Sequence, residues 1–71
     1  MPAVKTRRGA RVAQARRNAG LSQAALAEKV GMARSTVARV EIGITTPTLD
    51  LALALGRELD ESVESLFGGG R

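Results

Sequence analysis

The chain has 71 residues and so forms one small domain at most, with a thin core because twelve residues are Ala and only Phe67 is aromatic. It contains neither Cys nor His, which excludes disulfides and thiolate or imidazole metal ligands and leaves an enzyme without its usual nucleophile and base. The net charge of +4 divides into +8 for residues 1–40 and −4 for residues 41–71, and this asymmetry predicts a polyanionic partner.

The chain is predicted to open with a flexible arm over residues 1–5. Residues 6–19 then show the periodicity of about 3.6 residues that is typical of an amphipathic helix. Thr6 is a candidate N-cap for this first helix, and Gly20 stands where a glycine commonly follows a helix end. Nothing in the pattern indicates a strand, so we expect an all-α domain over residues 6–67.

Arg16 falls on the apolar stripe of the first helix, which is an unusual place for a charge. A buried guanidinium needs an acidic partner, and Glu41 is the best candidate because it lies beside the buried side of a later helix. We therefore predict a structural ion pair between Arg16 and Glu41. The alternative is that both side chains simply reach solvent.

Residues 23–41 contain two short helical patterns that meet at Gly31. Two helices joined by a turn of three or four residues that contains Gly form a helix-turn-helix. Ser22 is a favoured N-cap type for the first of these helices, which places Gln23 in its first turn. Backbone N–H groups at a helix start bind phosphate, so Gln23 is a candidate phosphate contact.

The second of these helices has two faces when its residues are placed at intervals of about 100°. Arg34, Ser35 and Arg39 fall together, between about 0° and 140°. Val37 and Val40 fall on the opposite side, at about 300° and 240°, and are expected to anchor the helix. Guanidinium groups suit guanine edges, and a hydroxyl suits a base or a phosphate. The alternative is that both arginines are ordinary solubilising charges.

The C-terminal half is predicted to contain two further helices. Gly43 is expected to end the third helix, and Thr48 to cap a fourth. The buried stripe of the fourth helix is predicted to consist of Leu49, Ala52, Leu53, Gly56 and Leu59. The glycine in this stripe implies close packing. Ser62 is predicted to cap a short fifth helix that ends at Phe67, and residues 68–71 are expected to form a disordered tail.

The positions that carry the strongest pattern are Ser22-Gln23, Leu26-Ala27, Gly31, Val37, Val40-Glu41, Gly43 and Pro47. At these spacings the sequence resembles the lambda-repressor-like family of helix-turn-helix proteins, also called XRE or Cro/repressor-type, over about residues 8–67. The resemblance implies a compact five-helix, all-α fold in which the second and third helices form the helix-turn-helix. It also implies the pairing of Arg16 with Glu41.

Contacts to DNA follow as expectations from this resemblance. Base edges in the major groove would be contacted by Arg34, Ser35 and Arg39. Phosphate contacts are expected from a larger set, namely Gln23, Thr36, Arg11, Ile44, Thr45 and Thr46. Small members of the family commonly act as homodimers on palindromic operators through the fifth helix. The corresponding dimer residues here would be Val63, Leu66 and Phe67.

Two places depart from the pattern of the family. Ala33 stands where a Ser or Thr usually caps the third helix, and the loss of that cap costs about 1 kcal/mol. Asp60 and Glu61 replace the usual Gly and aliphatic residue between the fourth and fifth helices. This second departure affects where the predicted dimer residues lie.

The favoured hypothesis is a sequence-specific regulator of transcription that binds double-stranded DNA, in particular a repressor, with residues 34–42 as its recognition helix. The alternative is an antitoxin or accessory protein-interaction module with secondary DNA binding, which the acidic C-terminal half and the apolar fifth helix favour. An enzyme is the least favoured class, because no nucleophile and base are paired. We expect neither a cofactor nor a metal.

A lipid surface is another candidate partner for a basic face, but interfacial Trp or Phe is missing from residues 1–40. No apolar run approaches the roughly 18 residues that span a membrane, and no signal-peptide pattern opens the chain. We therefore expect a cytoplasmic protein that is associated with the nucleoid when it is bound to DNA.

Overall fold

The computed structural model describes residues 9–68, which fold into five α-helices joined by short connections. The helices are α1 (Ala10–Asn18), α2 (Gln23–Val30), α3 (Arg34–Ile42), α4 (Leu49–Leu59) and α5 (Val63–Phe67). No strand occurs among these residues, and the expectation of an all-α, five-helix fold is confirmed. The predicted arm, the predicted cap at Thr6 and residues 69–71 of the predicted tail lie outside the described residues.

Three of the helices begin at a hydroxyl side chain, as the sequence predicts. The Oγ of Ser22 accepts a hydrogen bond from the N–H of Ala25 at 3.0 Å, at the start of α2. Thr48 and Ser62 do the same at the starts of α4 and α5, at 3.2 and 2.9 Å. α3 begins at Ala33 without a side-chain hydrogen bond, so one of its first N–H groups lacks this acceptor.

Each helix of the helix-turn-helix ends at a glycine with a left-handed backbone conformation. Gly31 has a φ of 73° and ends α2, and Gly43 has a φ of 83° and ends α3. A side chain is strained at such angles, so both positions favour glycine. Only residues 31–33 separate the two helices, and this short turn lets α2 and α3 pack directly against each other.

The start of α1 presses against the backbone of α3. Gly9 is buried at the N-cap of α1, and a Cβ atom built on it would lie 1.7 Å from the carbonyl oxygen of Val40. No side chain fits at that distance. The close approach explains a glycine at the beginning of a helix, and sequence reasoning, which began this helix at residue 6, did not single it out.

The hydrophobic core receives buried side chains from every helix, including Val12, Leu26, Val37, Leu55 and Leu66. Leu66 is only 2% exposed, so its predicted place in a dimer interface is wrong, because the side chain fills the core of its own chain. Phe67 is half-buried against the same core, and Val63 is half-buried. The fifth helix therefore closes the domain and presents little apolar surface to a partner.

The face of α4 that enters the core differs from the predicted stripe. The buried positions are Leu51, Ala52, Leu55, Gly56 and Leu59. Leu49 and Leu53, predicted to be buried, are 69% and 47% exposed. The observed face lies opposite the charged residues Asp50, Arg57 and Glu58, and the predicted stripe was shifted toward Leu49 and Leu53 at its edge.

The turn between α4 and α5 is tight and contains a strained residue. Asp60 ends α4 with a φ of 57°, in a region that residues other than glycine rarely adopt. The N–H of Glu61 donates to the carbonyl of Gly56 at 2.9 Å. A Cβ on Gly56 would lie 2.6 Å from the carbonyl oxygen of Glu61, so the predicted close packing at this glycine is confirmed.

Candidate nucleic-acid interface

α3 has a buried face and an exposed face, as its sequence predicts. Val37 and Val40 are buried in the core, where α3 packs against α2 and α1. Arg34, Ser35 and Arg39 are exposed on the other side of the helix. The two valines therefore fix the rotation of α3 about its axis. Two guanidinium groups and one hydroxyl are left in solvent on one surface.

Ile42 occupies the middle of this exposed face, one turn closer to the C-terminal end. With Arg34 at 0°, it falls at about 80°, between Ala38 at about 40° and Ser35 at about 100°. Its side chain is 47% exposed. Sequence reasoning treated Ile42 only as the end of the helix, although the same periodicity places it among the outward residues. An exposed apolar side chain at this point is suited to contact an apolar group of a bound ligand, such as the methyl group of thymine.

A network of hydrogen bonds ties α1, α2 and α3 together behind the exposed face. The predicted ion pair is present, with Arg16 Nε 2.6 Å from Glu41 Oε2 and Arg16 Nη2 3.1 Å from Glu41 Oε1. Arg16 Nη1 donates to the carbonyl of Leu21 at 2.9 Å. The hydrogen bond to Glu41 raises the pKa of Arg16, against the opposing effect of burial. The carboxylate of Glu41 is buried but fully paired.

Gln23 also belongs to this network. Its Nε2 donates to Glu41 Oε1 at 2.9 Å, which ties the start of α2 to α3. The first helical hydrogen bond of α2 is from the N–H of Leu26 to the carbonyl of Ser22, so the N–H groups of Gln23 and Ala24 precede it. Such N–H groups at a helix start form an anion site.

A surface groove joins Gln23 to the exposed face of α3. It is lined by Ala10, Ala13, Arg17, Gln23, Ala38, Glu41 and Ile42. Arg17 is exposed at this groove, so the structure places it beside the predicted phosphate contact and the recognition helix. Sequence reasoning missed Arg17 as a site residue. Its position about 100° from the buried Arg16 could have identified it as the outward arginine of α1.

Arg11 lies on a different side of α1. Its Nη1 donates to the backbone carbonyl of Ser65 at 3.2 Å, which joins α1 to α5. It lines a separate hollow with Gln14, Asn18 and Glu61. The structure therefore does not bring Arg11 together with Gln23 and α3, and the phosphate contact of Arg11 stays a prediction. α5 determines this side of α1, and its packing is a long-range contact that local periodicity does not reveal.

The loop after α3 contains three predicted phosphate contacts. Ile44 is 68% exposed, but its side chain has no donor and its N–H is bonded to the carbonyl of Arg39 at 3.1 Å. Its predicted contact is therefore disfavoured. Thr45 and Thr46 are exposed and keep their hydroxyl groups at the surface. Thr36 is half-buried on α3, beside the outward residues.

Between residues 9 and 68, His, Cys, Asp and Glu side chains form no group of three or more that could hold a metal ion. None of the five helices is both long enough and apolar enough to cross a membrane.

Comparison with known proteins identifies the family. The model of a family described as "Helix-turn-helix" matches residues 12–66, which is more than half of the chain. An uncharacterised HTH-type transcriptional regulator of Archaeoglobus fulgidus is 37% identical over 57 residues, which cover 80% of this chain and 81% of that protein.

Three solved structures share the fold closely. The P22 c2 repressor, solved in complex with a synthetic operator, has a TM-score of 0.86 and 29% identity, covering 92% of this chain and 98% of that chain. The biofilm regulator SinR, solved in complex with DNA, has a TM-score of 0.76 and 36% identity, covering 82% and 94%. SinR in complex with SinI has a TM-score of 0.78 and 35% identity, covering 83% and 58%. The chain therefore belongs to the lambda-repressor-like, or XRE, family of helix-turn-helix DNA-binding transcriptional regulators.

Proposed function

We propose that the protein binds double-stranded DNA sequence-specifically by inserting α3 into the major groove. The observation that carries this proposal is the exposed face of α3, where Arg34, Ser35 and Arg39 lie opposite two buried valines. The guanidinium group of an arginine donates two hydrogen bonds to O6 and N7 of guanine. Each such contact favours the correct base over a wrong one by about 1–3 kcal/mol. The structures of the P22 c2 repressor with its operator and of SinR with DNA support this proposal.

Phosphate contacts would set the register of α3 on the duplex. Gln23 and the first N–H groups of α2 form one such contact, and Arg17 supplies a positive charge in the adjoining groove. Thr36, Thr45 and Thr46 are further candidates. Arg17 takes the place that the sequence assigned to Arg11, because only Arg17 lies in this groove.

The family resemblance supports a repressor that acts as a homodimer on a palindromic operator. Two copies related by a two-fold axis would place their recognition helices one helical turn apart, at about 34–36 Å. Because the proposed ligand is genomic DNA, the place of action would be the cytoplasm, at the nucleoid. The proposal assigns no catalytic activity to the chain.

Selection of bound fragments from random duplex DNA, at two salt concentrations, tests this function. We expect a two-fold symmetric consensus whose affinity falls with salt, because counterions are released from the neutralised phosphates. Enrichment of no sequence at either salt concentration would refute specific binding.

Substitutions then test the roles of single residues on the selected site. Arg39→Ala should cost about 1–3 kcal/mol and relax the preference at one base position. Arg17→Ala should weaken binding to all sequences alike. It should also lower, by about one, the slope of the logarithm of the binding constant against the logarithm of the salt concentration. Arg11→Ala is the matched control, because it removes the same charge from the opposite flank of α1. A uniform loss of affinity from Arg39→Ala, with no change in base preference, would contradict its assigned role.

A second candidate function is an antitoxin or accessory module whose main ligand is a protein. The complex of the related SinR with SinI supports this alternative, as does the acidic surface of α4 and α5 with Glu58, Glu61 and Glu64 exposed. Tight binding of a defined partner together with weak, salt-sensitive and unspecific DNA binding would favour it over the first proposal.

A further inference from the structure

The outward face of α3 carries two apolar side chains between its arginines. With Arg34 at 0°, Ala38 and Ile42 fall at about 40° and 80°, so they follow one another along the middle of this face. Ile42 is 47% exposed and does not belong to the hydrophobic core of the described residues. Its apolar surface is therefore not used to stabilise the fold.

Ala38 leaves space in front of Ile42. Its side chain is a single methyl group one turn before Ile42, and both residues line the groove that leads to Gln23. A group that approaches this part of α3 can therefore contact Ile42 without meeting a longer side chain at position 38. The side chains of Ala38 and Ile42, here called the apolar strip, offer neither a hydrogen-bond donor nor an acceptor.

The major groove of DNA presents one apolar substituent to such a strip. This substituent is the methyl group on C5 of a pyrimidine, which unmodified DNA carries only on thymine. The other substituents in this groove are hydrogen-bond donors and acceptors. An isoleucine packed against one of them would remove it from water without replacing its hydrogen bond. The apolar strip therefore favours a methyl group over a polar edge.

On the basis of the DNA-binding function proposed above, we infer that Ile42 recognises the C5 methyl group itself, so that 5-methylcytosine satisfies the contact as thymine does. The two bases differ at C4, where thymine has an oxygen acceptor and cytosine an amino donor. The apolar strip does not distinguish these groups, because it has no hydrogen-bonding atom. Methylation of a cytosine at this position therefore strengthens binding, and the protein senses the methylation state of its site.

Arg39 determines where in the site this methyl group lies. Arg39 precedes Ile42 by three residues on α3, and side chains at this spacing have Cβ atoms about 5–6 Å apart. Successive base pairs are about 3.4 Å apart, so the two side chains face base pairs that are one or two steps apart. The methylated pyrimidine therefore lies within two base pairs of the guanine that Arg39 contacts. That guanine is the base whose preference is relaxed by Arg39→Ala.

Two duplexes that differ by one methyl group test the inference. In the selected site, each pyrimidine within two base pairs of this guanine is replaced by cytosine in one duplex and by 5-methylcytosine in the other. The partner base is guanine in both duplexes. At one of these positions the methylated duplex should bind about fourfold more tightly, which is the effect of burying one methyl-sized group. Fluorescence-anisotropy titrations at one salt concentration measure the ratio.

Two substitutions then assign the methyl preference to a residue. Ile42→Ala should abolish the difference between the two duplexes, because it removes the surface that contacts the methyl group. Leu53→Ala is the matched control, since Leu53 is also 47% exposed but lies on α4, and it should keep the full difference. Circular dichroism verifies that both variants fold.

Two results would overturn the inference. The methylated and unmethylated duplexes could bind equally at every position, which would show that Ile42 does not face a C5 methyl group. The Ile42→Ala variant could instead keep the preference, which would assign it to a change in the stiffness of the methylated duplex. In both cases specific binding to the selected site would remain, whereas failure to select any sequence would refute the DNA-binding function itself.

Discussion

α3 and α4 illustrate two different relations between sequence pattern and structure. α3 has two buried valines on one side and mostly polar residues on the other, so its pattern allows only one orientation. α4 is apolar over a wide arc that lies opposite Asp50, Arg57 and Glu58, and its pattern leaves the edge of the buried face undefined. Leu49 and Leu53 lie at that edge and remain at the surface.

The largest effect is expected from breaking the network that holds α3. Glu41→Ala should destabilise the fold by about 3 kcal/mol, because it leaves the part-buried guanidinium of Arg16 without its carboxylate and with only the carbonyl of Leu21 as a partner. Chemical denaturation measures the loss. Glu28→Ala is the control, since Glu28 is exposed on α2. Equal, small effects of the two substitutions would show that the ion pair does not hold α3 in place.

The same pair gives a stability contribution that does not vary near neutral pH. The folded-state pKa of Arg16 is raised, so its contribution is present below the ordinary arginine pKa and is lost only as the pH rises through the higher folded value. The loss therefore occurs in strong alkali.

α4 offers a matched pair of leucines, of which Leu55 is buried and Leu53 is exposed. Leu55→Ala should destabilise the domain by about 2–5 kcal/mol, because it opens a cavity in the core. Leu53→Ala should change the stability of the monomer by no more than about 0.5 kcal/mol, because its side chain is at the surface. Thermal unfolding at low protein concentration measures both. A large loss from Leu53→Ala under those conditions would mean that the predicted stripe, and not the observed one, is buried in solution.

A smaller effect is expected at the uncapped start of α3. Ala33→Ser should stabilise the domain by about 1 kcal/mol, because the new hydroxyl can accept one of the first N–H groups of the helix. Denaturant titration measures this gain. No gain from Ala33→Ser would show that solvent already satisfies these groups.

The smallest effect concerns Ile42, which lies on the face of α3 that is proposed to contact bases. If its side chain contacts a thymine methyl, replacing that thymine with uracil should cost about 0.8 kcal/mol of binding, the value of one buried methyl-sized group. The same replacement should have no effect on the Ile42→Ala variant. Binding titrations on the selected site, with thymine replaced one position at a time, measure the coupling. Equal losses in both proteins at every position would exclude this contact.

Local signals in the sequence predicted most of the fold. Ser22, Thr48 and Ser62 begin helices through their own hydroxyl groups, and Gly31 and Gly43 end them, so these boundaries depend only on neighbouring residues. The pairing of Arg16 with Glu41 is long-range, but a charge on an apolar stripe has few acceptable partners.

Each wrong prediction has a physical cause. Leu66 was misplaced because α5 packs against α1, and that contact joins residues far apart in the chain. The stripe of α4 was misplaced because Leu49 and Leu53 lie at the edge of its apolar face and were counted as its centre. Gly9 escaped notice because its role depends on the backbone of α3, which a pattern of side chains does not describe.

The division of α3 into two faces makes its outward residues exchangeable. Arg34, Ser35, Arg39 and Ile42 contribute nothing to the core, so the scaffold tolerates other side chains at these positions. If α3 contacts bases as proposed, a library that varies these four codons would sample new DNA sequence preferences on an unchanged frame. The anchoring valines and the Glu41 carboxylate must be retained in every member of such a library.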